Sequence, residues 1–396
     1  MKKTLIILSR IPYPLEKGDK LRAYHLIKEL SKWEEIHLVA ISDEPAQQSS
    51  IDELKKYCKE IHVFPISKWS IALNMFKSFI VGLPFQSGYF YNSKVAREIA
   101  NLIEKNKPDH IFVQLLRTTE YVKNIHGIEM TLDYMDAFAK GMERRLESAY
   151  FPASRIYRWE YFRLRKYEGR VYHWFKNKLI ISEQDLNSLF IPDTNEIQII
   201  PNGVDTAYFS PRPMEKKYDL LFFGNMSYPP NVSAARYLCM EILPLLLAKY
   251  PNIKIAISGA EPSKEVLALA SKNVDITGWI DDMRDIIAQS KIVVAPMLIG
   301  TGLQNKLLQA MAMKIPCVTS SLANNALGAE NKKSILVARK KEDYVKAIEL
   351  MLENPEIYDS IAQNGLDFVN ANFNWEASAR KLHELMYGKS SPDSEF

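Results

Sequence analysis

The chain has 396 residues, 47% of them hydrophobic and 25% charged, which is the composition of a globular protein of about two to three domains. Its 51 Lys and Arg against 47 Asp and Glu leave a net charge of +4, enough to favour phosphate or an anionic surface but too little for a dedicated nucleic-acid binder, so no nucleic acid is expected as partner. Three scattered cysteines, Cys58, Cys239 and Cys317, show no C-x-x-C spacing, which argues against a disulfide framework or a zinc site and suits the cytoplasm.

The opening "MKKTLIILSRIPYP" has lysines before a short apolar run, but Arg10 and Pro12 interrupt it too early for a signal peptide, and it reads as a first strand. The loop "PLEKGDKLR" follows, then a helix beginning "AYHLIKEL". Farther on, "IHLVAI", "IHVFPI", "HIFVQLL", "EMTLDYM" and "KLIIS" alternate with longer amphipathic stretches, and after residue 210 the pattern resumes with "YDLLFFG", "IKIAISG", "VDITGW", "KIVVAP", "PCVTS" and "SILVA". Continuous β-branched runs between helical segments predict parallel sheets covered on both faces. Twelve such runs are too many for one comfortable sheet. The proline-bearing stretch "IQIIPNGVDTAYFSPRPMEKKYDLLFFG" supplies the break, giving an α/β chain of two doubly wound domains, 1–210 and 211–373. No run reaches about 18 apolar residues, so no transmembrane helix is expected.

In such folds ligands gather beyond the carboxyl ends of the strands, where helix N-termini present unpaired N–H groups. "GTGLQNKLLQAMAMKIPCVTS", Gly300 to Ser320, lies at such a corner. Gly300 and Gly302 admit close backbone approach to a phosphate, and Lys306, one turn into the helix, adds a point charge. The spacing G-x-G-x-x-N lacks the third glycine of a dinucleotide fingerprint. By itself it fits a phosphate site or a plain strand-to-helix turn, and Lys306 alone fits a solvated lysine.

Longer segments add to this. "IIPNGVDTAYFSP", "LLFFGNMSYPPNVSAARYL", "ITGWIDDMRDIIAQSKIVVAPMLIGTGLQNKLLQAMAMKIPCVTSS" and "NFNWEASARKLHELMYGK" resemble, in order and spacing, glycosyltransferase family 4. "RIPYPLEKGDKLRAYHLIKEL" is similar to a subgroup of bacterial sugar transferases from surface-polysaccharide clusters. The resemblance implies a GT-B fold: two Rossmann-like domains facing across a cleft, the second holding the nucleotide sugar, and a last helix, 374–388, packed back on the first. It also implies a retaining transferase that moves a sugar from a nucleoside-diphosphate-sugar donor to a hydroxyl of a glycan or lipid-linked acceptor. The D-x-D motif typical of GT-A transferases is absent. No metal and no other cofactor is therefore expected, and the leaving diphosphate would be neutralised by helix dipoles, N–H groups and basic side chains.

Carried over residue by residue, the donor set implied by the resemblance is Gly18, Lys20, Gly224, Asn225, Gly300, Thr301, Gly302, Leu303, Gln304 and Gln309. Lys306, Asp136 and Arg22 are the implied catalytic residues. Two departures stand out. The family's E-x7-E falls on Thr301 and Gln309, leaving a neutral acceptor where a carboxylate usually meets the ribose. Neutral hydrogen bonds contribute about 0.5–1.5 kcal/mol against about 1.5–3 for charge-assisted ones, so weaker ribose binding is expected. A cationic pair common among relatives falls on Asn225 and Pro230, so Lys306, with Lys20 or Arg22, is the expected replacement. Asp19 stands where a second glycine is common, and it suits a helix cap equally well. Asp133 and Asp136 end a strand of the first domain, and Asp136 fits either a base acting on the acceptor hydroxyl or an N-cap. Residues 154–178, "SRIYRWEYFRLRKYEGRVYHWFKNK", interleave cations and aromatics. That suits peripheral contact with the inner face of the membrane, or packing of Trp159, Phe162 and Trp174 into the domain with solvated arginines. A catalytically degenerate nucleotide-sugar-binding partner subunit and a GT-B nucleotide-sugar epimerase are the alternatives to a transferase.

Overall fold

A computed structural model describes residues 1–147, 150–191, 193–299 and 302–388. The chain separates into two compact units, Met1–Pro201 together with a C-terminal segment from Trp375, and Asn202–Asn374. The division expected near residue 210 falls between Pro201 and Asn202. Backbone pairing explains the shift: Val204 bridges to Asn374, with its N–H donating to the Phe373 carbonyl at 2.9 Å, so residues after 201 already belong to the second unit.

The first unit is built on seven strands: β1 (Lys2–Leu8), β2 (Glu34–Ser42), β3 (Glu60–Pro65), β4 (His110–Gln114), β5 (Glu129–Asp133), β6 (Asn177–Ile180) and β7 (Ile197–Ile199). Their order is β3-β2-β1-β4-β5-β6-β7, parallel throughout. Ile6 in β1 pairs with Leu38 on one side and Phe112 on the other, and all three are buried. Helices cover both faces of a parallel sheet, which is why these runs are apolar without alternation.

The second unit has six strands: β8 (Tyr218–Phe223), β9 (Ile255–Ser258), β10 (Val274–Gly278), β11 (Ser290–Ala295), β12 (Cys317–Ser320) and β13 (Leu336–Ala338). Their order is β10-β9-β8-β11-β12-β13, again all parallel. In both sheets the order reverses beside the unit's first strand, between β1 and β4 and between β8 and β11. The carboxyl ends there are the ligand-binding corner of a doubly wound sheet. Both units are thus built on the doubly wound parallel sheets expected from the runs.

Helix Trp375–Tyr387 belongs to the first unit. Its Trp375 stacks on His25 at 4.8 Å and 8°, Ser378 donates to the Pro201 carbonyl at 2.9 Å, and Ala379, Leu382 and Met386 join the core around β1 and helix Gly18–Leu30.

Candidate functional site

In the second unit, Gly224 follows the last residue of β8 and Gly259 the last residue of β9. Both glycines have positive φ, +152° and +137°. A Cβ on Gly259 would sit 1.8 Å from the Gly224 carbonyl oxygen, and one on Gly224 would meet the Asn231 amide at 2.8 Å and Lys306 Nζ at 3.4 Å. Only glycine permits this approach. Asn225 then builds the turn. Its side-chain oxygen accepts from Ser227 N and Oγ at 2.8 and 2.7 Å, and its carbonyl accepts from the Asn231 amide at 2.8 Å.

Into this corner comes Lys306 from helix Asn305–Ala312. Its ammonium donates to Asn231 Oδ1 at 2.7 Å, touches Met297 Sδ at 3.9 Å and stands 4.4 Å from the centre of the Phe222 ring. The side chain is buried and pairs with no carboxylate among the described residues. Burial alone pushes its pKa down to about 7. A buried ammonium among an amide, a thioether and an aromatic face has unused capacity for an anion. The first N–H groups of its helix also lack intrahelical acceptors.

The other donor candidates surround this helix start. Leu303 packs against the core of the second unit, Gln304 is the N-cap residue and donates to the Gly302 carbonyl at 2.9 Å, and Gly302 is exposed. Gln309, half-buried, lies one turn beyond Lys306. Gly300 and Thr301 lie outside the described residues. Two residues not singled out from sequence belong to the corner. Asn231 orients the lysine, and Glu261, held at φ +52°, accepts from Ser227 Oγ at 3.0 Å. The "PPN" and "GAEP" stretches that hold them follow strands, and that position was the available signal.

In the first unit the loop after β1 carries Arg10, whose guanidinium donates to Asp19 at 2.7 Å, while Arg117 lies 3.7 Å from the same oxygen. Asp19 sits in the first turn of helix Gly18–Leu30 and also accepts from Lys20 N at 3.1 Å. Gly18, exposed at the helix start, has open space within 4 Å of where a Cβ would stand, so sterics do not demand glycine there. Lys20 is buried and faces Glu44 at 3.5 Å. Arg22, expected at a diphosphate, requires a correction. Its Nε donates to Asp133 at 2.6 Å, both side chains are 0% exposed, and helix periodicity turns it toward the sheet, away from any solvent-borne phosphate.

Asp136 occupies a different environment. Met135 takes a positive φ of 61°, Asp136 N donates to the Tyr134 carbonyl at 2.8 Å, and Met135 N donates to Asp133 at 3.1 Å. This tight, strained turn at the end of β5 sets Asp136 in the lining of a 360 Å³ pocket. Arg117 and Arg145 line the same pocket with Gln86 and Glu160, and Phe85, Phe138, Met142, Ile156 and Tyr157 form apolar walls. Crowding by protein, then the Asp185 and Asp19 carboxylates, push Asp136 up to about 7 against the pull of Arg117 and Arg144. The N-cap reading of Asp136 finds no support: the N–H of Ala139, in the first turn of the next helix, donates instead to buried Glu168 at 2.9 Å. A carboxyl group raised toward neutrality by its surroundings in a pocket is suited to accept a hydroxyl proton. Among the described residues no three His, Cys, Asp or Glu side chains converge as metal ligands.

Residues 217–354 match the family model described as "Glycosyl transferases group 1". The matched stretch lies within the second unit and contains the Lys306 corner. Over nearly the whole chain the protein is similar to an uncharacterized 44.6 kDa protein in the cps region of Klebsiella pneumoniae, at 23% identity across 94% of this chain and 97% of that one. A shorter match, 30% identical over 133 residues, covers 31% of this chain and 34% of a phosphatidyl-myo-inositol mannosyltransferase of Mycolicibacterium smegmatis. Among solved structures, sucrose-phosphate synthase from Thermosynechococcus elongatus superposes with a TM-score of 0.70 at 14% identity, covering 97% of this chain and 98% of that one. Anabaena Alr3699/HepE, in complex with UDP and glucose, superposes with a TM-score of 0.66 at 12% identity, covering 97% and 99%. At these identities the likeness establishes the fold, which is GT-B.

Proposed function

We propose that this protein is a retaining glycosyltransferase that moves a sugar from a nucleoside-diphosphate sugar to a hydroxyl of a glycan or lipid-linked acceptor, in the synthesis of a surface polysaccharide or glycoconjugate. The observation that carries the reading is Lys306: a buried ammonium with no carboxylate partner among the described residues, beside two strand-end glycines, inside the matched glycosyl transferase domain. A diphosphate supplies the missing negative charge. The Anabaena structure with UDP and glucose supports a nucleotide donor, and the cps-region relative supports the polysaccharide setting.

In the reaction the bond between the anomeric carbon and the diphosphate oxygen breaks, and the diphosphate leaves with the electron pair. The acceptor oxygen forms the new bond to that carbon. Lys306 and the N–H groups of its helix stabilise the charge growing on the leaving oxygen. The hydroxyl proton passes to that phosphate oxygen or to Asp136, and Arg117 and Arg145 orient the acceptor in the pocket.

No metal enters this scheme, since basic and N–H groups provide the neutralisation. The enzyme acts in the cytoplasm, against the inner membrane face where residues 154–178 contribute cations. Thermal denaturation against a panel of nucleoside diphosphates and their sugars tests the reading, because a ligand of the native state raises the midpoint. A rise with one base, product formation in excess chelator, and retention seen by NMR of the product are expected. The absence of any rise across the panel overturns it. An epimer formed from donor alone identifies an epimerase instead, and binding without transfer or hydrolysis identifies a partner subunit.

A further inference from the structure

Helix Lys68–Val81, "KWSIALNMFKSFIV", leaves most of its apolar side chains in solvent. Trp69 is 83% exposed, Leu73 61%, Phe76 65%, Phe79 56%, Ile80 69% and Val81 69%. Its one buried residue is Ser78, packed so tightly on Gly88 that a Cβ there would fall 1.7 Å from the Ser78 hydroxyl. Polar contacts hold the helix: Asn74, at its middle, donates to the Tyr91 carbonyl, and further contacts are at its C-terminal end. Arg163 donates to the carbonyls of Ser78, Phe79 and Leu83 at 2.6, 2.8 and 3.0 Å. The same guanidinium lies 3.2 Å from the centre of the Trp159 ring, which stacks on Phe79 at 5.2 Å. Apolar exposure on this scale marks an interaction surface, because holding so much apolar area against water is unfavourable.

The surrounding charge selects the occupant. Lys68 and Lys77 are the charged residues of this helix, which contains no carboxylate. The adjoining helix Ala153–Tyr172 exposes Arg155, Arg158, Arg165, Lys166 and Arg170. Its two acids are buried and face inward: Glu160 accepts from the N–H groups of Phe85 and Gln86 at 2.8 and 3.2 Å, and Glu168 accepts from Ala139. The charge that these two helices show to solvent is therefore entirely positive. Fourteen residues give a helix of about 21 Å, short of the roughly 30 Å hydrocarbon core, and no helix among the described residues is long and apolar enough to span a membrane. An apolar helix of this length with a cationic border lies in the plane of a bilayer surface.

We propose that helix Lys68–Val81, bordered by the cations of Ala153–Tyr172, docks this protein on an anionic bilayer. The docking element shares its second helix with the Asp136 pocket, whose wall includes Ile156, Tyr157 and Glu160, with Phe85 just beyond the end of the first. Docking therefore sets the pocket beside lipid headgroups, the place where a lipid-linked hydroxyl is presented. That last step rests on the glycosyltransferase reading, whereas docking itself does not.

The full chain is sedimented with vesicles of phosphatidylglycerol or of phosphatidylcholine, at low and high salt. The comparison protein is the triple variant Trp69→Ser, Phe76→Ser, Ile80→Ser, with circular dichroism and the nucleotide-induced thermal shift recorded on both. Salt-sensitive binding to phosphatidylglycerol, reduced roughly tenfold or more in the variant with both controls unchanged, is expected. A less disruptive variant, Lys68→Glu with Lys77→Glu, reports on the same surface if the triple variant loses its fold, and should reduce binding to the anionic vesicles. Failure to sediment with phosphatidylglycerol, or equal sedimentation of wild type and variants, overturns the proposal. So does a wild-type dimer in light scattering that the variants convert to monomer, which would assign the face to a second copy of the chain. Vesicle binding without transfer to a lipid-linked acceptor would instead count against the transferase reading alone.

Discussion

Lys306 and Asn231, 75 residues apart in the chain, meet at 2.7 Å at the carboxyl end of β8. The contact is neutral on one side, so the amide orients the ammonium without discharging it. Burial holds the lysine near 7, and an arriving diphosphate would raise that value again.

Replacing Lys306 with Ala is expected to lower kcat/KM more than tenfold, about 1.4 kcal/mol or more of transition-state stabilisation. Lys306→Met separates binding from folding. The native pKa lies below the unfolded value of 10.5, so the unfolded chain binds the extra proton between the two. Stability of the unliganded protein should therefore rise with pH from about 7 to about 10.5, a slope the Met variant loses. The variant should melt higher at pH 7 yet show no nucleoside-diphosphate shift. An unchanged shift would remove Lys306 from the donor site.

Asp136 gives the opposite limb of the pH profile. Its carboxyl must be ionised to accept a proton, and it is raised to about 7, so kcat/KM should fall as pH drops through that value. Lys306 must be protonated, so activity should also fall above its own titration. A bell-shaped profile results, and Asp136→Asn should lose activity and the acid limb together, leaving the thermal shift with donor in place. Full activity of the Asn variant would assign the proton to the departing phosphate.

Arg22 and Asp133 form a fully buried pair at 2.6 Å. Burial presses Asp133 upward and the Arg22 charge opposes it. Arg22→Met leaves that carboxylate alone in the interior, at a cost of about 3–5 kcal/mol. Urea denaturation should show the loss, while the donor KM of whatever protein folds stays near the wild-type value. A raised KM at undiminished stability would return Arg22 to the donor site.

Gln309 tests the missing glutamate. Gln309→Glu should tighten donor binding about fivefold, roughly 1 kcal/mol for a charged in place of a neutral acceptor on the ribose hydroxyls. Gln309→Leu, similar in size and without an acceptor, should weaken it. Calorimetric titration of both variants decides the point, and equal affinities for Glu, Gln and Leu would show that residue 309 does not touch the ribose.

Much of this molecule was legible in the order of residues alone. Runs such as "TLIILS" and "KIVVAP" became central strands because a sheet covered on both faces demands unbroken apolar sequence. Lys306 could be placed at the start of a helix beyond the carboxyl end of a strand, because that junction recurs in any doubly wound sheet. Tertiary structure decided which charged group meets which. Arg22 and Lys20 are two residues apart in one helix, yet one is sealed against Asp133 and the other reaches Glu44. Asp19 lies between Arg10 and Arg117, which are more than a hundred residues apart. Periodicity reports that a helix has an apolar face but not whether anything covers it. Helix Lys68–Val81 therefore has the composition of a core element, and only the placement of its neighbours leaves Trp69 and Phe76 in solvent.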